Sequence, residues 1–170
     1  IQVLHNNFEG KKWNTNTQVE FIKKLAEGSD FDGKGSEKDM AFSARDRINR
    51  APKALGFVDL KPYIKLTEAG ENFISGKRTE EVLLRQLLKF QLPSPYHMEP
   101  EEFKGIFCVK PYLEIFRLIY ELGTISFDEL MIFGMQLTHY NKFDSIVAEI
   151  KTFRRIKLYA KLSYKTFRGN

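Results

Sequence analysis

The chain has 170 residues, a net charge of +5, and 15 Phe, seven Tyr and one Trp. This length allows one domain or two small ones with a real hydrophobic core. The aromatic-rich composition, with few β-branched runs, favours helices with a little strand. A single cysteine excludes an intramolecular disulfide, and no run approaches the roughly 18 uncharged apolar residues that a membrane helix needs. We therefore expect a soluble protein of a reducing cytoplasm, with Cys108 as a buried free thiol.

The positive charge is concentrated at the C-terminal end. Residues 151–170 hold seven Lys and Arg and no acid, whereas residues 1–150 hold 20 bases and 22 acids. Contact with a polyanion would therefore use local patches or this basic segment rather than a uniformly basic surface. Because the chain starts without Met and ends within the basic segment, we expect it to be a fragment of a longer protein.

The N-terminal quarter of the chain predicts two helices joined by a loop. Capping side chains at 14–17 precede apolar residues at helical spacing, which predicts a helix over about 17–27. Three glycines among turn-forming residues at 28–36 predict a flexible loop. The next helical pattern begins at Lys38 and should break near Pro52, since proline removes a donor and clashes with the preceding turn.

A hairpin and two further helices are predicted next. Short alternating runs at 57–60 and 63–66 flank Lys61-Pro62, which predicts two antiparallel strands. Thr67 then opens one helix, and a second follows over about 79–91. Two helices, a hairpin and a helix follow the order of a winged helix-turn-helix unit, in which the strand pair forms the wing.

Prolines dominate the stretch between Leu92 and Pro111, and they predict a linker. Beyond it, Pro111 at a first helical position and a capping box of Ser126 with Glu129 mark two helix starts. We expect helices over about 111–122, 127–135 and 143–156.

These elements predict a mainly α fold with small β-hairpin wings, arranged as tandem winged helix-turn-helix-like subdomains. The predicted domains are a DNA-recognition subdomain at 1–92, a linker at 93–111, and a second subdomain at 112–170 that ends in the basic segment.

The sharpest chemical feature is a short helix crowded with cationic and amide side chains. Arg can donate two hydrogen bonds to guanine O6 and N7, and Asn can pair with adenine N6 and N7, so these residue types are typical of major-groove reading. The alternative is a solvated helix face on which Asp46 pairs with Arg50 at i,i+4. The candidate DNA-binding residues here are Ser43, Arg45, Asp46, Arg47, Asn49, Arg50 and Lys53.

A second candidate lies at the polar entry to the predicted last helix. His139, Asn141 and Lys142 stand where a second recognition helix would begin, although the same residues also make ordinary capping turns. Other basic residues suit phosphate contacts, which add affinity without sequence information, or solubility alone. The candidate phosphate contacts are Lys11, Lys12, Lys34, Lys38, Arg154 and Arg155.

Signals for an enzyme or a metal site are weak. His5, His97 and His139 are far apart and lack the spacing of zinc ligands. The run 33–36 inverts the order of a phosphate-binding loop, and the run 30–33 lacks the other carboxylates of a calcium loop.

Two segments match the letters of a metal-dependent nuclease, which needs a carboxylate followed by an acid-x-Lys on an adjoining strand. Asp59 and Lys61, with Asp46 upstream, have this form, but Lys61 precedes a proline at the hairpin turn. Glu102 and Lys104 also match, but they lie in the predicted linker. We therefore expect no catalytic residue, metal or cofactor in this chain.

Several sequence blocks, in the same order, resemble the N-terminal region of the AlwI-type restriction endonucleases, a group that includes the large subunits of nicking endonucleases. The likeness runs in register from about residue 3 to 155. The blocks are Asn7-Phe8-Glu9-Gly10 with Trp13, Ala41-Phe42-Ser43-Ala44-Arg45-Asp46-Arg47, Gly56-Phe57-Val58, Leu66-Thr67-Glu68-Ala69-Gly70, Leu87-Leu88-Lys89-Phe90-Gln91-Leu92-Pro93-Ser94 and Ile150-Lys151-Thr152-Phe153-Arg154.

The resemblance implies a prokaryotic, cytoplasmic type IIS enzyme of a restriction-modification system, whose N-terminal region reads a short asymmetric site on double-stranded DNA. It implies cleavage by a separate, covalently linked C-terminal PD-(D/E)xK domain that uses Mg²⁺ and is absent from this chain. It also implies a monomer, and a small nuclease subunit as a further partner. The segment 47–52 is longer than its family counterpart, so the resemblance carries over Ser43, Arg45, Asp46 and Arg47 as DNA-side residues.

Other functions remain open from the sequence alone. A winged-helix transcriptional regulator would make the same contacts on a palindromic site and would dimerise. A winged-helix interaction module would bind no nucleic acid, and a self-contained nuclease would cleave DNA with Mg²⁺.

Overall fold

The computed structural model of the chain describes residues 1–29, 32, 34–94 and 101–168; for residues 103 and 159–168 it describes only the backbone. This part of the chain divides into two compact units, one formed chiefly by residues 1–89 and the other by residues 90–93 and 101–168. None of the described helices combines the length and hydrophobicity needed to cross a membrane.

The first unit consists of five helices and one hairpin. A π-helical turn over Asn49–Lys53 extends α3 and contains Pro52. The elements are α1 (Gln2–Phe8), α2 (Thr15–Glu27), α3 (Glu37–Ile48), β1 (Val58–Asp59), β2 (Lys65–Leu66), α4 (Glu68–Ile74) and α5 (Thr79–Lys89).

Local capping explains where the helices of this unit begin. Asn14 accepts a hydrogen bond from the backbone N–H of Thr17 and starts α2. Ser36 and Asp39 form a reciprocal capping box at the start of α3, which satisfies two N–H groups that a helix leaves unpaired at its N-terminus. Beyond Pro52, Gly56 has a φ of +74°, a left-handed conformation that glycine adopts without steric cost. The α-helix thus ends before Pro52, but a π-helical turn continues the chain through Pro52 to Lys53, so the predicted break near Pro52 takes the form of a change in helix type.

The predicted hairpin is confirmed, with Val58 opposite Leu66 and Asp59 opposite Lys65. The N-terminal segment is tied to it, because Gly10 N–H donates to the Ile64 carbonyl and Ile64 N–H donates to the Lys11 carbonyl. The structure supports a mainly helical fold with a small antiparallel sheet, while the winged helix-turn-helix assignment stays a prediction.

Helices α1, α2 and α3 and the hairpin enclose one apolar core. Its largest fully buried members include Leu4, Ile22 and Ile64. Gly70 allows α4 to lie against the hairpin, since an added Cβ would stand 2.1 Å from the Phe57 carbonyl oxygen. The buried residues of α3 belong to this same core, and α3 packs chiefly against α2.

The described part of the second unit is built on three helices, of which the last two are joined through two short 3-10 turns. Its elements are a 3-10 turn (Glu101–Phe103), α6 (Pro111–Leu122), α7 (Phe127–Ile132), 3-10 turns Gly134–Gln136 and Tyr140–Lys142, and α8 (Phe143–Arg168). Pro111 at the first position of α6 and the capping box at Ser126 are confirmed.

The structure also corrects several expectations. The last helix continues to Arg168 rather than ending near 156, and Cys108 is exposed rather than buried. Leu92, just before the predicted linker, and Val109 within it form an antiparallel bridge, while the predicted domain boundaries stay a prediction. Residues 95–100, and with them His97, lie outside the described part of the chain.

Candidate nucleic-acid interface

Helix α3 buries one side and leaves the rest accessible. Met40, Ala41, Ala44 and Ile48 are at most 8% exposed and recur at helical spacing. Apolar positions of this spacing form a single stripe along a helix. The polar side chains that the sequence singled out therefore occupy the remaining circumference of α3 and the turn that follows it.

The structure leaves the predicted DNA-binding residues of α3 accessible to different degrees. Arg45, Arg47 and Arg50 are exposed. Ser43, Asp46, Asn49 and Lys53 are half-buried, and both Arg47 and Lys53 take part in further intramolecular interactions.

Arg45 is held against the neighbouring helix. Its Nη1 donates a hydrogen bond of 3.0 Å to Oε1 of Gln18 on α2, and Gln18 is only 5% exposed. A guanidinium group carries five N–H donors, so this single bond orients the side chain and leaves further donors for a ligand. Helix-face composition could not have predicted this partner, which lies 27 positions away.

Asp46 and Arg50 form the i,i+4 ion pair that the sequence offered as an alternative. Arg50 Nε lies 2.8 Å from Asp46 Oδ1, and the Arg50 side chain remains 77% exposed. Exposed pairs of this kind contribute little to stability. The pairing holds the guanidinium group on the helix surface and does not prevent its contact with DNA.

A groove of ≈ 370 Å³ lies between the C-terminal part of α3 and the hairpin. Arg45, Asn49 and Lys53 line one wall, and Lys61 at the hairpin turn lines the other. The rest of the lining is Trp13, Val58, Asp59 and Leu60. Sequence reasoning had not joined Trp13 and Lys61 to the α3 residues, because only the fold brings them together.

The second predicted segment forms a capping turn. His139 Nδ1 accepts from the Asn141 backbone N–H at 3.3 Å, and Lys142 Nζ donates to Thr138 Oγ1 at 3.0 Å. The backbone of Thr138 and Tyr140 bonds to Cys108. Asn141 and Lys142 remain exposed on this turn, although its hydrogen bonds already account for the residue types found there.

The predicted phosphate contacts are scattered. Lys11 lies 3.9 Å from Glu20 and over the Phe8 ring, and Lys34 pairs with Asp32 at 3.3 Å. Three others in this group are exposed, namely Lys12, Lys38 and Arg155.

Arg154 has a different environment from the other predicted phosphate contacts. Its Nε and Nη2 donate to the two carboxylate oxygens of Glu129 at 2.7 and 3.0 Å, and it also donates to the carbonyls of Leu122 and Thr124. The bond from Arg154 is the main cause that lowers the pKa of Glu129 to about 2. With its donors used inside the second unit, Arg154 joins α8 to α7 and to the end of α6.

The segments with nuclease-like spacing make local ion pairs. Asp59 Oδ2 lies 3.5 Å from Lys65 Nζ across the hairpin, and Lys104 pairs with Glu101. Within the described residues, no group of three or more His, Cys, Asp and Glu side chains could hold a metal ion.

Comparison with known proteins gives one family. The model described as AlwI restriction endonuclease matches residues 53–168, and no curated protein matches the chain. The matched segment begins at Lys53, the last residue of the turn after α3, and includes the hairpin, α4, α5 and the second unit.

Proposed function

Because the chain belongs to the AlwI restriction endonuclease family, whose model matches more than half of its 170 residues, we propose that it is the sequence-specific DNA-recognition part of a type IIS restriction or nicking endonuclease. Membership implies an interaction with DNA. The assignment of recognition to this part of the protein is our inference, and it rests on the surface of α3.

The observation that carries the proposal is the exposed surface of α3 and of the turn after it, which is rich in guanidinium groups. Arg45, Arg47 and Arg50 are exposed there, while four apolar residues hold the buried side of α3 in the core. The major groove of B-DNA is about 12 Å wide and admits one α-helix. A rigidly packed helix can therefore place Arg47 and Arg50 at base edges without a large loss of conformational freedom.

The charge balance supports a local rather than a general interaction with DNA. Outside the basic C-terminal segment the chain holds slightly more acids than bases, so a non-specific polyanion surface would be small. Affinity concentrated at one helix and the adjoining groove suits recognition of a short site.

In the complete enzyme, we propose that a separate, covalently linked nuclease domain cleaves the DNA with Mg²⁺. A short asymmetric site requires one recognition part per site, so this part would act as a monomer, and a small nuclease subunit would be a further partner. In this arrangement the chain supplies binding and register, and the nuclease domain supplies the reaction.

Selection of bound duplexes from a randomised pool tests the proposal. We expect a short, non-palindromic consensus bound by one copy of the chain, with binding that weakens as salt increases. A palindromic consensus bound by two copies would instead indicate a transcriptional regulator. Absence of binding to duplex DNA at 50 mM salt would refute the proposal and favour a protein-interaction module.

A further inference from the structure

The α3 residues do not form a single recognition surface. Successive residues of an α-helix are separated by about 100°, so Arg45 and Arg47 leave α3 roughly 200° apart. Arg45 lines the groove beside the hairpin, whereas Ser43, Asp46, Arg47 and Arg50 are not part of its lining. Arg45 therefore faces a concave surface, whereas Arg47 leaves α3 on another side.

We propose that the groove between α3 and the hairpin is a binding site for the sugar–phosphate backbone of DNA, and that Arg45 is a phosphate-binding residue rather than a base-reading one. This inference rests on the proposed DNA-binding function and assigns a separate role to one part of its surface.

Shape is the first reason for this assignment. The base edges lie at the bottom of a groove in the DNA, so they can be reached only by a protein element that projects outward. The backbone on either side of the major groove is a ridge, which fits a concave surface of the protein. The groove of ≈ 370 Å³ beside the hairpin is a concave surface of this kind.

Charge is the second reason. Arg45, Lys53 and Lys61 line the groove, and Asp59 is its one acidic lining residue. Asp59 is itself 3.5 Å from Lys65, which lies across the hairpin and outside the groove lining. The lining of the groove therefore carries more positive than negative side chains, which suits an anionic phosphate group.

The third reason is that Arg45 is already oriented in the absence of DNA. The bond to Oε1 of the buried Gln18 fixes one donor of its guanidinium group. Trp13, which packs edge-on against Phe21 with ring centroids 5.8 Å apart, forms a rigid part of the groove. An orienting bond of this kind lowers the entropy lost when the phosphate binds.

The test compares Arg45→Ala with Arg47→Ala, a matched change two residues away on the same helix. Lys61→Ala, at an exposed position of the hairpin turn, is the second variant, since it removes a groove charge without removing the Gln18 contact.

Each full chain is titrated with the duplex that the wild type selects from a randomised pool and with a scrambled duplex, from 50 to 300 mM salt. Circular dichroism checks that each variant is folded. Trp13 is the only tryptophan, so its fluorescence reports occupancy of the groove directly.

For Arg45→Ala and Lys61→Ala we expect weaker binding of both duplexes by a similar factor, roughly three- to tenfold. The salt slope, which is the slope of log affinity against log salt concentration, should fall in magnitude by about 0.9 for each lost phosphate contact. Arg47→Ala should weaken only the selected duplex and leave the salt slope unchanged. If Arg45→Ala weakens the selected duplex alone with an unchanged salt slope, the phosphate assignment is wrong while the proposed function stands.

A different outcome would refute the proposed function and leave the groove assignment standing. If the wild type binds all duplexes alike, and Arg45→Ala and Lys61→Ala still lower the salt slope, the groove assignment stands and sequence-specific recognition is refuted. If the wild type binds no duplex, both proposals are refuted.

Discussion

Replacement of Arg154 by Met should destabilise the second unit far more than replacement of Lys151 by Met. Both residues lie on α8, three positions apart, and both reach a carboxylate on another helix. Lys151 bonds to Glu121 at 2.8 Å, where both side chains are about half exposed. Arg154 bonds to Glu129, whose side chain is only 8% exposed.

The expected magnitude for Arg154 follows from its partners. Met retains much of the aliphatic stem but none of the four hydrogen bonds that join Arg154 to Glu129, Leu122 and Thr124. Loss of one partner of a fully buried ion pair costs roughly 3–5 kcal/mol. Arg154 keeps a third of its side chain exposed, so water screens the remaining charge and we expect a loss of about 2 kcal/mol.

Thermal unfolding followed by circular dichroism measures this difference. In a chain of this size each kcal/mol lowers the midpoint by about 2–4 °C, so Arg154→Met should lower it by about 4–8 °C. Lys151→Met should change it by an amount close to the error of the measurement, since exposed pairs contribute little. Equal shifts in the two variants would refute the reasoning that burial and the shared carbonyl bonds make the Arg154 contact important.

Three further predictions follow from individual contacts. First, the pKa of Glu129 is lowered from its ordinary 4.5 to about 2, so the stabilisation by its ion pair is present above pH 4.5 and is lost as the pH falls towards 2. The free energies of unfolding of wild type and Arg154→Met, measured with urea, should therefore converge over this pH range, and a constant difference between them would contradict the assignment. Second, Gly70→Ala should cost about 3 kcal/mol because the new methyl group meets the Phe57 carbonyl oxygen, whereas Gly28→Ala, which has open space, should change the unfolding free energy by less than about 0.5 kcal/mol. Third, Cys108 is exposed, so a thiol reagent should label the folded chain as fast as the urea-unfolded chain to within about tenfold; labelling only after unfolding would contradict its exposure.

The sequence predicted local features of the fold well. Asn14 and Ser126 were identified as helix caps, and Pro52 was identified as the residue that interrupts the helix, because capping and proline effects depend on neighbours within a few positions. Helix ends were less accurate. The last helix extends to Arg168, since its pattern beyond 156 contains no strong stop signal.

The candidate site was predicted only in part. The sequence located the cationic helix, but it placed Arg45 and Arg47 together as equivalent base-reading residues. Trp13 and Lys61 were noted separately, Trp13 within a block that resembles the family and Lys61 at the predicted hairpin turn. The groove exists because the backbone of residues 10 and 11 bonds to Ile64, which brings the N-terminal segment to the hairpin.

What the amino-acid sequence determined by itself is most of the elements, although not α1, and the presence of an arginine-rich helix, because helix caps, turns and hydrophobic spacing act over a few residues. Which arginines are available to a ligand was decided only by tertiary structure. Arg45 is oriented by Gln18 and Arg154 is bound by Glu129, in pairs that are 27 and 25 positions apart. Such partners are set by the packing of helices against one another, and no local pattern encodes them.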